Sequence, residues 1–316
     1  MTMPSPQQLQ IIFTGFAGAL LLALLTATIE SLFTRRALGL RRRRGVLLGT
    51  AILADVLRLL SKSTPARGPR YAVGVGVVLV PTVLLVGGLP AGGWLGGLPV
   101  TATATERLLG LAGLLAVVPF ALFALATTVT PARRQPLAAV ILPLVGTQVT
   151  LVLCVAACIV AGDTEAGFQT RVLGSWPLWH HPCGGFAFLG ALAALSAAYR
   201  QAMEGTGVGR LNPGLIDGPG AGVLLLRLSR PLLIGAASAL AVHLYLGLAP
   251  GVTQLPDVAI WAGVTLWVTL VFLLQAAITK ADADGLSRLV WRRLLPLAGI
   301  DVLWSLVRVS GGVPWS

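Results

Sequence analysis

Between Leu137 and Ala161 the sequence reads "LAAVILPLVGTQVTLVLCVAACIVA". These 25 residues carry no charge, and their few polar groups include Thr147, Gln148 and Thr150. At ~1.5 Å per residue such a helix outruns the roughly 30 Å hydrocarbon core of a bilayer. A soluble domain has no need for so long an uncharged helix, so this stretch decides the fold class in favour of a membrane protein.

The same pattern recurs along the chain. Apolar windows punctuated by charge, proline or glycine give eight expected spans: Gln10 to Phe33, Tyr71 to Leu89, Leu108 to Val129, Leu137 to Ala161, Pro182 to Tyr199, Leu232 to Leu248, Val258 to Thr279 and Leu289 to Val309. Hydrophobic residues make up 56% of the chain and charged residues 11%, against about a quarter charged in soluble domains. The expectation is an all-α polytopic protein forming a single integral membrane domain over residues 1–316. "MTMPSPQQLQ" has no positive n-region, and no cleavage site follows the first apolar run, so no signal peptide is expected.

A net charge of +12 is compatible with nucleic-acid binding, but its placement argues against that partner. Twenty of the 23 Lys and Arg residues fall in the loops after spans one, three, five and seven, or at the adjoining helix ends. The opposite side holds only Arg107, Arg171 and Arg308. By the positive-inside rule the basic loops are cytoplasmic and both termini lie outside, in a plasma or inner membrane.

One basic loop has further structure in its pattern. From Arg35 to Lys62 the chain reads "RRALGLRRRRGVLLGTAILADVLRLLSK". Over residues 47–62 the apolar Leu48, Ile52, Leu53, Val56, Leu59 and Leu60 recur at three- and four-residue steps. Asp55, Arg58 and Lys62 occupy the other face, which predicts an amphipathic helix lying in the membrane interface.

These residues resemble the first cytoplasmic loop of complex I subunit 1, a membrane subunit of NADH-quinone oxidoreductase, and of its counterparts in membrane-bound energy-converting hydrogenases. The likeness rests on "TRRALGL" followed by "GTAILADVLRLLSK", on "WPLWHHP" before span five, and on "GVLLLRLSRPLLIGAASALAVHLYLG" leading into span six. It implies a membrane-anchor subunit of an oxidoreductase complex that is not catalytic by itself. Its implied partners are the lipid bilayer, peripheral iron–sulfur or hydrogenase-like subunits and antiporter-like membrane subunits. Iron–sulfur clusters would belong to the partner subunits, and a quinone is the one small ligand implied here. Arg35, Arg36, Asp55, Arg58 and Lys62 match the positions that dock the peripheral arm and line the quinone entry.

The chain also departs from that family. The glutamate before the paired arginines is Thr34 here, and the nearest acid is Glu30. Span four, which carries a buried glutamate in the family, offers Gln148 and Thr150. The acid-rich loop after span five is reduced to "YRQAMEGTGVGRLNPGLIDGPGAG", with Glu204 and Asp217 expected in a glycine-rich loop. Intramembrane acids are expensive and are kept for ion or proton movement. Most of the family's proton-path carboxylates are therefore absent, and the candidate relay residues are Glu30, Glu204, Asp217 and Asp301.

Other reactive residues carry blander expectations. His180, His181 and Cys183 in "WHHPC" fit an aromatic interface belt with Trp176 and Trp179 better than a metal centre, because adjacent histidines give poor tetrahedral geometry. Cys154 and Cys158 share one face of span four as small hydrophobes, and His243 reads as a hydrogen-bonded helix contact. Asp301, among "LAGI" and "VLW", demands a partner, a cavity or a proton. No nucleophile–base set or phosphate-binding loop stands out. A reading from another class, a stand-alone transporter or membrane scaffold, predicts internal repeats, and none is evident between the two halves.

Overall fold

The computed structural model describes residues 21–33, 131–162, 181–204, 221–246, 257–278 and 283–310, with Gly113 and Val117 as isolated helical positions. Every described element is helical, and no strand occurs among the described residues. In chain order the helices are α1 (Leu21–Phe33), α2 (Pro131–Gly162), α3 (Pro182–Glu204), α4 (Ala221–Leu246), α5 (Asp257–Ile278), α6 (Ala283–Leu289) and α7 (Leu295–Ser310). A single π-helical turn, Val290–Leu294, joins α6 to α7 without a break.

Stretches Val140–Ala161 of α2, Cys183–Gln201 of α3, Ser229–Leu246 of α4 and Val258–Ile278 of α5 are each long and apolar enough to cross a membrane. The fold is all-α and polytopic. The expected fourth and fifth spans lie within α2 and α3, and the seventh matches α5 to within one residue at each end. The sixth is longer than expected, because helix formation runs back through Ser229, Arg230 and Pro231. A helix-internal proline removes one backbone donor, and neighbouring helices in a membrane bundle make that tolerable. The second span, the amphipathic helix over 47–62 and most of the third span lie outside the described residues.

The eighth span is continuous helix but not uniform α-helix. Pro296 has no N–H for the carbonyl of Arg292, and its ring would collide with that carbonyl in a regular helix. The π turn just before it moves the pairing back one residue, with the Leu295 N–H donating to the Val290 carbonyl. Widened turns of this kind are rare and short.

α2 packs most extensively against α3 and α7, while α3 also meets α4, α5 and α7. Contact is close because glycines stand at the crossings. A Cβ on Gly190 of α3 would approach Leu294 Cδ2 to 2.6 Å, and one on Gly146 of α2 would meet Val290 and Trp291 at 2.8 Å. On Gly235 of α4 it would meet Thr26 Oγ1 of α1 at 2.8 Å. Apolar burial against apolar lipid gains little, so membrane helices associate through such small-residue contacts.

Hydroxyls inside the spans turn to their own backbone. Thr26 donates to the Leu22 carbonyl (2.8 Å), Thr147 to Leu144 (2.7 Å), Thr150 to Gly146 (2.8 Å) and Ser305 to Asp301 (2.9 Å). An apolar surrounding leaves them no water to bond, and the i−4 or i−3 carbonyl is the acceptor within reach. The core is built from Leu, Ala, Val and Phe of α2 to α5, with Tyr199 and Tyr245 among its largest fully buried side chains. Outward rows remain apolar: Leu266, Leu273 and Leu274 on α5, and Ile300, Leu303, Trp304 and Val307 on α7.

Candidate functional site

Among the described residues, two polar clusters interrupt this apolar bundle, one near each end of α3. Positions 184 and 196 mark them on that helix, about 18 Å apart at ~1.5 Å per residue.

The first cluster joins four helices. Arg230 of α4 places Nη1 2.6 Å from Glu30 Oε1 of α1. Its Nη2 donates to Ser196 Oγ of α3 (3.1 Å) and to Gln275 Oε1 of α5 (3.5 Å). Ser196 Oγ in turn donates to Gln275 Oε1 at 2.9 Å. One turn further along α3, the Tyr199 hydroxyl meets Ser229 Oγ at 2.5 Å. Arg230, Ser196 and Gln275 are buried, and the Glu30 carboxylate is largely so, at 18% side-chain exposure. A buried guanidinium needs a counter-charge and several acceptors at once, and this site supplies both to the two terminal nitrogens, while Nε is buried without a partner.

The second cluster lies where α3 begins and α4 and α7 approach their ends. His181 Nδ1 stands 2.9 Å from Asp301 Oδ2, with side-chain exposures of 5% and 1%. Tyr245 of α4 packs edge-on to His181 at 6.4 Å and to Phe188 at 5.7 Å, and stacks on Trp267 of α5 at 6.0 Å with 4° between the planes. The Cys154 thiol of α2 donates to the Gly184 carbonyl at 3.5 Å. Gly184 is required here, because a Cβ would run into the Asp301 carboxylate and lie 3.3 Å from Tyr245 Oη. Asp301 Oδ1 is buried without a hydrogen-bond partner, and Tyr245 Oη has the Cys154 and Cys158 thiols beside it.

Of the candidate relay residues, Glu30 and Asp301 lie in these clusters, one in each. Glu204 ends helix α3 rather than lying in the loop, which corrects its expected setting; the helix continues because "YRQAME" contains no breaker before Gly205. Arg35, Arg36, Asp55, Arg58, Lys62 and Asp217 lie outside the described residues, as do His180, Trp176 and Trp179. His181 does not belong to an interface belt: it is buried and answers the demand of Asp301. Cys154 and Cys158 are buried free thiols, as expected of small hydrophobes. Among the described residues, no three His, Cys, Asp or Glu side chains are grouped to hold a metal ion.

Sequence reasoning missed Arg230, Ser196, Gln275 and Tyr245. Arg230 is legible there as a loop charge that sets topology. What the sequence does show is that Arg230 directly precedes a long uncharged run, so it stands next to a span and not only in a loop.

The bundle and its polar inclusions define the class as a polytopic helical membrane protein. No family model matches the chain, and no curated protein matches its sequence. Its fold is similar to that of a chain in the solved structure of the membrane-bound sulfane sulfur reductase, an archaeal respiratory membrane complex. The TM-score is 0.67 at 19% identity, covering 95% of this chain and 98% of that one.

Proposed function

We propose that this chain is the membrane-anchor subunit of a respiratory oxidoreductase complex, related to complex I subunit 1 and to the membrane subunits of energy-converting hydrogenases. The observation that carries this reading is the fold shared, over nearly the full length of both chains, with a chain from a respiratory membrane complex. The resemblance of Arg35 to Lys62 to a docking loop adds to it independently. In this reading residues 1–316 form one membrane domain. The interfacial helix over 47–62 receives a peripheral iron–sulfur arm on the cytoplasmic side, and the quinone entry lies beside Arg35, Arg36, Asp55, Arg58 and Lys62. Antiporter-like subunits pack against the outer faces of the bundle, and redox centres reside in the partners. The family's carboxylate line is broken at Thr34 and along α2, where Gln148 stands without an acid. Proton movement by the family's route is therefore not assigned to this chain.

Sidedness follows the arginine bias. Reporters fused after Arg134 and after Asp217 are expected to read cytoplasm, and one near Asp163 the outside; an external signal from either of the first two overturns this orientation.

Docking is tested by replacing Arg35 and Arg36 together with alanine in the native complex. Arginines pair with carboxylates or phosphates in a bidentate fork that alanine cannot replace. An exposed ion pair is worth at most ~1 kcal/mol, so loss of the peripheral subunits at moderate salt identifies a desolvated dock. Retention of those subunits at high salt in the double variant contradicts the assignment.

A further inference from the structure

The His181–Asp301 cluster has no place in the docking role, and it holds more unsatisfied polar capacity than a structural staple needs. A staple between α3 and α7 would be complete with the single 2.9 Å contact. Instead, the second carboxylate oxygen, Oδ1, is buried with no hydrogen-bond partner, and the Tyr245 hydroxyl has only the weakly bonding Cys154 and Cys158 thiols beside it. Orphaned buried polar atoms of this kind are uncommon and call for an unseen partner. The Asp301 carboxylate and Tyr245 Oη both approach the point above Gly184 that a side chain would fill, with Asp301 Cγ at 2.9 Å and the hydroxyl at 3.3 Å. They are therefore neighbours, within reach of one bridging water.

The charge balance points the same way. With a neutral imidazole the pair carries a net charge of −1 in a site that is 5% and 1% exposed. An uncompensated charge there is strongly disfavoured. No lysine or arginine among the described residues makes an ion pair with Asp301. The other titratable groups facing it are the Cys154 and Cys158 thiols of α2 and the Tyr245 phenol of α4, with the half-buried Cys183 near the start of α3. None of these supplies a positive charge. A proton does, and imidazole is the side chain suited to exchange one at physiological pH.

We propose that His181, Asp301 and Tyr245 form a buried proton-binding site at the end of the bundle where α3 begins. Uptake forms one N–H bond on the imidazole, takes the pair from −1 to 0 and turns a hydronium of the aqueous phase into water; nothing is oxidised or reduced. Asp301 Oδ2 holds the imidazolium, while Tyr245 donates through a water to Oδ1, and that water takes part in proton exchange at the pair. This site does not depend on the respiratory reading, and in the expected topology it faces the outside.

The test uses the full-length chain with 15N-labelled histidine in nanodiscs, observed by NMR, with the His181 signal assigned by its loss in His181→Gln. Expected is a change of the His181 ring signals from imidazolium to neutral imidazole as pH is raised across the range in which the chain stays folded, abolished in Asp301→Asn. In Tyr245→Phe the change persists, but exchange of the ring N–H with deuterated solvent slows at least about threefold. The Tyr245 variant keeps the test decisive should Asp301→Asn fail to fold. A His181 signal constant over that range, the same change in Asp301→Asn, or unslowed exchange in Tyr245→Phe overturns the proposal.

Discussion

Arg230→Met is expected to be among the most destabilising single substitutions in this protein. The guanidinium is the hub of a network that gathers α1, α3, α4 and α5 through Glu30, Ser196 and Gln275. Methionine has a similar length and no charge, so the packing volume is kept while Glu30 is left without its counter-ion. Removing one partner of a buried pair costs about 3–5 kcal/mol, mostly as the desolvation penalty of the stranded charge. Glu30 retains 18% exposure, which places the expected loss near the lower end, about 3 kcal/mol. Glu30→Gln combined with Arg230→Met removes both charges and is expected to recover most of that loss, a non-additivity typical of residues in contact. Thermal unfolding in detergent followed by circular dichroism reads both variants. A midpoint unchanged in Arg230→Met, or a double variant no better than the single one, means that the pair is not the hub described here.

Tyr245→Ala has the second large expected effect, and Tyr245→Phe provides its control. Tyr245 is fully buried among His181, Phe188 and Trp267, so truncation opens a cavity where three rings meet. Large-aromatic-to-alanine changes in soluble cores cost about 3–5 kcal/mol. Lipid is as apolar as the bundle interior, so the transfer part shrinks and the lost packing remains. The expected value is about 2–3 kcal/mol, within the lower part of the range for large-to-small substitutions. Phenylalanine retains the packing and removes only the hydroxyl, which lies beside the Asp301 carboxylate and the Cys154 and Cys158 thiols. Losing one such hydrogen bond costs about 1 kcal/mol, well below the cost of removing the ring. The same unfolding assay decides the matter: equal losses in the two variants would mean that the hydroxyl, not the ring, holds the site.

The helical bundle is legible in the sequence because it depends on local pattern. An uncharged run such as Leu137 to Ala161 has few alternatives, and the start of α3 and both ends of α5 follow from the charge, proline and glycine that flank them, whereas α3 runs past the expected end at Tyr199 to Glu204. Proline signals are harder to read. Pro231 suggests a helix start where the helix runs through it, and the π turn before Pro296 leaves no periodic trace. The clusters are legible as demands rather than as pairings. Asp301 plainly requires a partner, but its partner lies 120 residues away and no spacing points to it. Arg230 counts as a topological charge in the sequence, which shows an arginine near a span and not the Glu30 carboxylate that arrives from another helix. Pairings of that kind are fixed by the order in which helices pack, which no single segment encodes.

The central claim, that this chain works as a subunit of a respiratory complex, is tested most directly by isolating it from native membranes in a mild detergent and identifying what comes with it. The account predicts that peripheral iron–sulfur subunits and further membrane subunits co-purify in fixed ratio, with iron–sulfur absorbance in the same fraction. A homogeneous lone polypeptide, with its partners absent even at low salt and after cross-linking in the membrane, would contradict it and return the stand-alone transporter or scaffold as the reading to pursue.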